Sequence, residues 1–251
     1  MILQIFLATI VALIIISYLY SPFTPINALI GLFMRNPPII RSKEEMIRFF
    51  PESKILEENW KTIRGEVTKL LKNRDKIPKF HEVDKFEKNL SDKSGGAAWR
   101  TFFFKGYGNW SEKNCKLCPK TSKLLKKMPN VTTAMFSILD GKKHIPPHFG
   151  PFKGVYRYHL GLIIPKDKPC YILVDDRKYS WKEGEGVLFD DTFRHEVYNN
   201  SSKSRVVLFL DVFREDAPYL IIKLNKWLYN LAKNSKYIRE AAKKAEVQTN
   251  L

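Results

Sequence analysis

Cysteine is scarce. The three present, Cys115, Cys118 and Cys170, cannot build a disulfide framework, and such sparing use suits a reducing compartment. Cys115 and Cys118 look like half of a zinc site, but no second pair exists, so ordinary reduced thiols are expected. Charge is missing from the start of the chain, where no charged side chain occurs between Met1 and Arg35. Within that stretch "ILQIFLATIVALIIISYLY" (2–20) is almost wholly apolar and long enough to cross a bilayer. It lacks the basic start and small-residue cleavage site of a signal peptide, so a retained anchor over 1–22 is expected. The first charges beyond it, Arg35, Arg41, Lys43 and Arg48, are mostly basic and place the rest of the chain in the cytoplasm. Acid is in deficit throughout: 43 Lys and Arg against 26 Asp and Glu leave a net charge of +17. An excess of that size points to an anionic partner, such as an acidic membrane surface. No zinc-finger or RRM signature accompanies the scattered positive charges, so nucleic acid is not an expected partner. No internal repeat or low-complexity tract is visible.

What is present divides into four parts. After the anchor, residues 23–95 read as a juxtamembrane linker followed by a helical segment. Leu56, Trp60, Ile63, Val67 and Leu70 recur at helical spacing and predict one helix over 52–72. "SDKSGG" (91–96) breaks that pattern. From 96 to 216 the character changes to short strands rich in β-branched and aromatic residues: "WRTFFF", "TTAMFSIL", "VYRYHLGLII", "CYILV", "EGVLFD" and "RVVLFLDVF". A helix over 121–128 interrupts them. Many short strands imply an antiparallel sandwich or barrel. The tail, 217–251, predicts a basic amphipathic helix with Leu220, Leu224, Trp227, Leu228 and Leu231 in one stripe. That stripe either packs on the domain or rests on an anionic leaflet.

The chemistry concentrates in "HIPPHFGPFKGVYRYHL" (144–160). Residues two apart in a strand share a face, so Arg157 and His159 point one way while Tyr156, Tyr158, Leu160 and Leu162 point the other. A cationic, hydrogen-bonding face inside a β-fold calls for an anion or a metal-bound partner. His148 lies in the proline-rich loop just before, His195 follows "GVLFDDTFRHEV", and Arg205 opens the last strand. Neutral imidazoles suit borderline metals such as Fe(II), Zn(II) or Cu(II). His144 reads as a solvated loop residue, and Asp190 and Asp191 as turn residues bracing the His195 segment.

"HFGPFKGVYRYHLGLIIPKDKP", "YSWKEGEGVLFDDTFRHEVYN" and "RVVLFLDVFR" resemble the aspartyl/asparaginyl β-hydroxylase family of Fe(II)- and 2-oxoglutarate-dependent dioxygenases, from about Trp99 to Arg214. The resemblance implies a mainly β fold, a double-stranded β-helix (cupin-like jelly roll) with flanking helices behind the N-terminal transmembrane helix. It implies iron held by His148 and His195, and 2-oxoglutarate contacted by Ser137, Arg157, His159 and Arg205, with Trp99 nearby. O₂ is then the second cosubstrate and an unactivated C–H bond the target. Most non-heme Fe(II) oxygenases add a carboxylate two residues after the first histidine, and here that residue is Gly150. In the luminal peptide hydroxylases a cysteine at the place of Cys115 pairs with one seven residues later. Ser122 stands there instead, so that disulfide cannot form.

Within the family, the anchor, "ESKILEENWKTIRGEV", "CPKTSKLL" and "RYHLGL" are similar to the bacterial lipid A acyl-chain hydroxylases. That likeness implies hydroxylation at C2 of a secondary acyl chain of lipid A, at the cytoplasmic face of the inner membrane. A peptidyl aspartyl or asparaginyl hydroxylase is the alternative enzyme, and a membrane-tethered anion-binding cupin the non-catalytic one. The sequence leaves the oligomeric state open.

Overall fold

The computed structural model describes residues 24–83, 97–106, 108–234, 240, 244 and 245. The predicted anchor and "SDKSGG" lie outside these residues, and among them no helix is long and apolar enough to cross a membrane. The first elements are α1 (Thr24–Phe33), β1 (Ile39–Ile40), α2 (Lys43–Phe49), α3 (Ser53–Glu58), α4 (Trp60–Leu70) and α5 (Phe80–Val83). Then come β2 (Trp99–Gly106), β3 (Asn109–Trp110), α6 (Glu112–Leu117), α7 (Pro119–Leu125), β4 (Val131–Leu139) and β5 (His144–His148). The chain continues through β6 (Val155–Ile163), β7 (Cys170–Val174), β8 (Arg177–Ser180), β9 (Gly186–Phe189), β10 (His195–Asn199), β11 (Arg205–Phe213) and α8 (Tyr219–Lys233).

Strand parity builds the layers. A seven-stranded sheet in the order β1-β9-β6-β11-β4-β2-β3 faces a four-stranded sheet in the order β5-β10-β7-β8, with antiparallel pairing in both. This is a mainly β jelly roll. On the outer face of the large sheet, Tyr156, Tyr158, Leu160, Leu208 and Leu210 share one core with Leu56, Ile63, Val67 and Leu70 of the helices. Each such aliphatic side chain, fully buried, contributes about 1.5–3 kcal/mol. On the inner face, Val207 and Phe209 meet Ile145, Ile172, Val174 and Val197 of the small sheet. The polar side chains of the inner face, Arg205, His159 and Arg157, are therefore trapped between two sheets.

Three elements differ from the sequence expectation. The single helix over 52–72 is two, broken at Asn59 (φ −100°, ψ 9°), whose side chain turns back to the Ile55 carbonyl at 2.8 Å. The helix expected over 121–128 is preceded by α6, capped by Ser111, and α7 itself begins at Pro119. The proline-rich approach to His148 is strand β5 rather than loop. Because β5 is an edge strand, paired only with β10, two prolines cost it no ladder partner on the open side.

Candidate active site

His148, at the end of β5, and His195, at the start of β10, are direct cross-strand partners, and their ring centroids lie 4.0 Å apart. Each Nδ1 sits against a carbonyl two residues earlier: Pro146 O at 2.8 Å for His148 and Phe193 O at 2.9 Å for His195. A carbonyl can only accept, so Nδ1 carries the proton and Nε2 keeps its lone pair. Burial, reinforced by the nearby Arg157, lowers the His148 imidazole to about 4. Burial and the neighbouring His148 hold His195 well below its ordinary range. Both rings are thus neutral, with the tautomer a metal ion needs. Among the described residues no group of three His, Cys, Asp or Glu side chains stands ready to hold a metal.

Gly150 explains why a third protein ligand is missing. Its N–H donates to the Asp191 carbonyl at 2.7 Å, and a Cβ there would run into the Asp191 carboxylate. Asp191 is buried, its carboxyl pushed up by burial, and it pairs with Arg157 Nη1 at 2.8 Å. Arg157 also donates Nε to Asp211 at 3.0 Å, and its guanidinium lies 4.4 Å from the Phe209 ring centroid. Two of its donors are thus committed to carboxylates beside the histidine pair. Asp190 braces the same turn by accepting from Thr192, Lys153 and Arg214.

Deeper between the sheets, Arg205 is 1% exposed and has no carboxylate within ion-pair reach among the described residues. Among the described residues its Nη1 makes only long contacts to the Ser137 carbonyl (3.5 Å) and hydroxyl (3.4 Å), and Nε has no partner. The guanidinium lies 4.6 Å from the Trp181 ring centroid, and burial brings its pKa down to about 10. Trp99 donates Nε1 to the Ser137 hydroxyl at 2.9 Å, so Trp99, Ser137 and Arg205 form one cluster. A buried cation without a counter-ion is costly, and an anionic ligand with a carboxylate removes that cost.

His159 bridges the two ends. Its ring stands 5.1 Å from both Phe189 and Phe209, and Phe189 in turn approaches His195 at 6.1 Å. Among the described residues neither ring nitrogen of His159 has a hydrogen-bond partner, although both are buried. Burial, with Arg205 next, keeps His159 neutral far below its unfolded value of 6.5. The unfolded chain therefore binds a proton here that the folded chain refuses. Stability of the metal-free protein is expected to fall as pH drops below 6.5, by up to about 1.4 kcal/mol per pH unit for each such histidine. Thermal melts at pH 7 and pH 5 check this, and equal melting temperatures would contradict it.

The structure thus brings together His148, His195, Arg157, His159, Arg205, Ser137 and Trp99. His144 lies apart, paired with Glu196 at 2.9 Å and stacked on Tyr198. Cys115, Cys118 and Cys170 are buried free thiols. Sequence reasoning missed Trp181, Phe189, Phe209 and Asp211. The last two share the strand face of Arg205, so parity along β11 was a usable signal for them.

Fold and site together define a jelly-roll protein whose inter-sheet space joins a neutral histidine pair to a buried guanidinium that has no carboxylate partner among the described residues. The chain belongs to the aspartyl/asparaginyl β-hydroxylase family, whose profile matches residues 57–215, and is a hydroxylase by that membership. It is 38% identical over 207 residues to an ornithine lipid ester-linked acyl 2-hydroxylase of Rhizobium tropici, covering 82% of this chain and 70% of that one. It is also 35% identical over 168 residues to human aspartyl/asparaginyl β-hydroxylase, covering 65% of this chain and only 21% of the human protein. Among solved structures, a cupin 2 conserved barrel domain protein from Salinispora arenicola matches 52% of this chain and 84% of its own at 8% identity, with a TM-score of 0.32.

Proposed function

We propose that the protein is an Fe(II)- and 2-oxoglutarate-dependent hydroxylase that oxidises C2 of a fatty acyl chain on a membrane lipid. We place it at the cytoplasmic face of the inner membrane, held there by the apolar segment 2–20. The observation that carries the cosubstrate assignment is Arg205: a fully buried guanidinium lacking a carboxylate among the described residues, on the same inner face as His159, which lies between it and His195. 2-Oxoglutarate offers a keto acid for a metal and, at its far end, a carboxylate for a guanidinium. The donor set fits that group, since His148 and His195 present free Nε2 lone pairs to iron and no side chain at residue 150 competes. Bound there, iron and 2-oxoglutarate supply the oxidising power, O₂ being consumed with release of succinate and CO₂ as one oxygen atom enters the substrate.

The chain's own residues do the placing. Arg205, steadied by Ser137 and the Trp181 ring, receives the distal carboxylate. Trp99 orients the Ser137 hydroxyl, and His159 offers its unpartnered ring nitrogens to the cosubstrate. Arg157, pinned by Asp191 and Asp211, adds positive charge beside the histidine pair, where it would favour an anionic cosubstrate. Phe189, Phe209 and Trp181 keep water from the space between.

The acyl-lipid substrate is supported by the similarity to an enzyme named for that reaction and by the net charge of +17, suited to a lipid with an anionic headgroup. Secondary acyl chains of lipid A and the acyl chain of an ornithine lipid are the two substrates to test. Cells expressing the protein are expected to show one added oxygen on such an acyl chain by lipid mass spectrometry. An added oxygen on a peptide, with lipids unchanged, would replace the proposal with a peptidyl hydroxylase.

A further inference from the structure

Among the described residues nine large apolar side chains stand exposed, and six of them gather on three segments. Leu32 and Phe33 are on α1, Phe149 follows the first histidine, and Tyr219, Leu220 and Trp227 are on α8. Single exposed apolar residues are ordinary, but a set of this size on adjoining elements marks a contact surface.

The three segments are tied together by the loop 150–154, which leads from His148 into β6. From one side, Asn27 of α1 donates to the Pro151 carbonyl and accepts from the Lys153 N–H, both at 2.9 Å, while a Cβ added to Gly31 would stand 3.7 Å from the Lys153 stem. From the other side, Asn225 of α8 donates to the Gly154 carbonyl at 2.7 Å, an approach that a Cβ at residue 154 would block. Beneath the loop, Asp190 accepts from Lys153 (2.7 Å) and Arg214 (3.2 Å), and Arg214 reaches Asp216, just before α8, at 2.8 Å. Two helices from opposite ends of the chain therefore grip the loop beside the histidine pair. The inner side of α8 is settled by Asn225 and by Tyr229, which donates to the Thr132 carbonyl at 3.2 Å and packs on Phe213. That orientation leaves Leu220 and Trp227, part of the apolar stripe read from the sequence, facing outward.

We propose that α1, Phe149 and the outer face of α8 form one surface that seats in the headgroup–acyl boundary of an anionic bilayer, holding the mouth of the site against the lipid. Three features choose a bilayer over other occupants. The uncharged apolar run 2–20 ends just short of α1. Neither α1 nor α8 contains Asp or Glu. Basic residues flank the apolar ones: Arg35 follows α1, Lys223 lies over the Tyr219 ring at 4.6 Å, and Lys226 is held by Glu215 at the edge. Aromatic and aliphatic residues with lysines beside them are the composition of an interfacial helix. The surface rests on the acyl-lipid reading only for its purpose, and its existence is testable without it.

The test uses the full chain in vesicles of phosphatidylcholine and phosphatidylglycerol with brominated acyl chains. Trp227 is expected to be quenched, and Trp227→Phe to lose most of the quenched emission, because no tryptophan occurs in residues 2–20. Leu220→Ser combined with Trp227→Ser is expected to slow hydroxylation of bilayer-embedded substrate about tenfold, with affinity for 2-oxoglutarate unchanged. Quenching without lipid hydroxylation leaves this surface standing and removes the acyl-lipid reading. Hydroxylation with Trp227 unquenched overturns the surface and leaves that reading. A concentration-dependent dimer that shields Trp227 from brominated lipid would assign the face to a second copy of the chain and also overturn the proposal.

Discussion

Arg205→Met is expected to raise the 2-oxoglutarate concentration for half-maximal turnover about 100-fold, roughly 3 kcal/mol, without lowering the melting temperature of the cosubstrate-free protein. The two halves of this result belong together. A structural arginine is tied into carboxylates, and its loss strands them. Arg205 strands nothing: its long contacts to Ser137 and its place over Trp181 are its described polar and ring partners. Methionine of similar length fills the space and removes a buried charge, so stability holds or rises. Kinetics against 2-oxoglutarate and a thermal melt make the measurement. An unchanged KM, or a melting temperature that falls by many degrees, would mean that Arg205 serves the fold.

His195→Ala is expected to abolish succinate formation and substrate hydroxylation together, a loss of about 1,000-fold or more, as when one of two metal ligands is removed. The fold tolerates the change. His195 joins β5 and β7 through main-chain pairing with His148 and Val174, which alanine keeps. The variant's iron content after purification separates loss of metal from misfolding, with circular dichroism as the control. Full activity in this variant would sink the assignment of the histidine pair.

Much of this site was readable from strand alternation alone. A period of two puts Arg157 with His159, and Arg205 with Phe209 and Asp211, before any tertiary contact is known. The histidine of β5 was legible as chemistry but not as strand, because Pro146 and Pro147 suppress the strand signal everywhere except at an edge. What stayed hidden depends on pairing between distant segments. Nothing local announces that Asp191 reaches Arg157, or that Trp181 slides under Arg205. The direction of α8 was likewise hidden, since an amphipathic stripe records only that two faces differ. Asn225 and Tyr229 decide which face turns inward.

The crowding of Gly150 by Asp191 has a further consequence, for how residues of the site are coupled. A side chain at residue 150 and the carboxylate at residue 191 claim the same space. Any side chain placed at residue 150 therefore obliges the Asp191 carboxylate to shift. That shift draws a counter-ion away from Arg157. Gly150, Asp191 and Arg157 are thus coupled by shape and charge, so that an exchange at residue 150 is felt at the guanidinium without touching it.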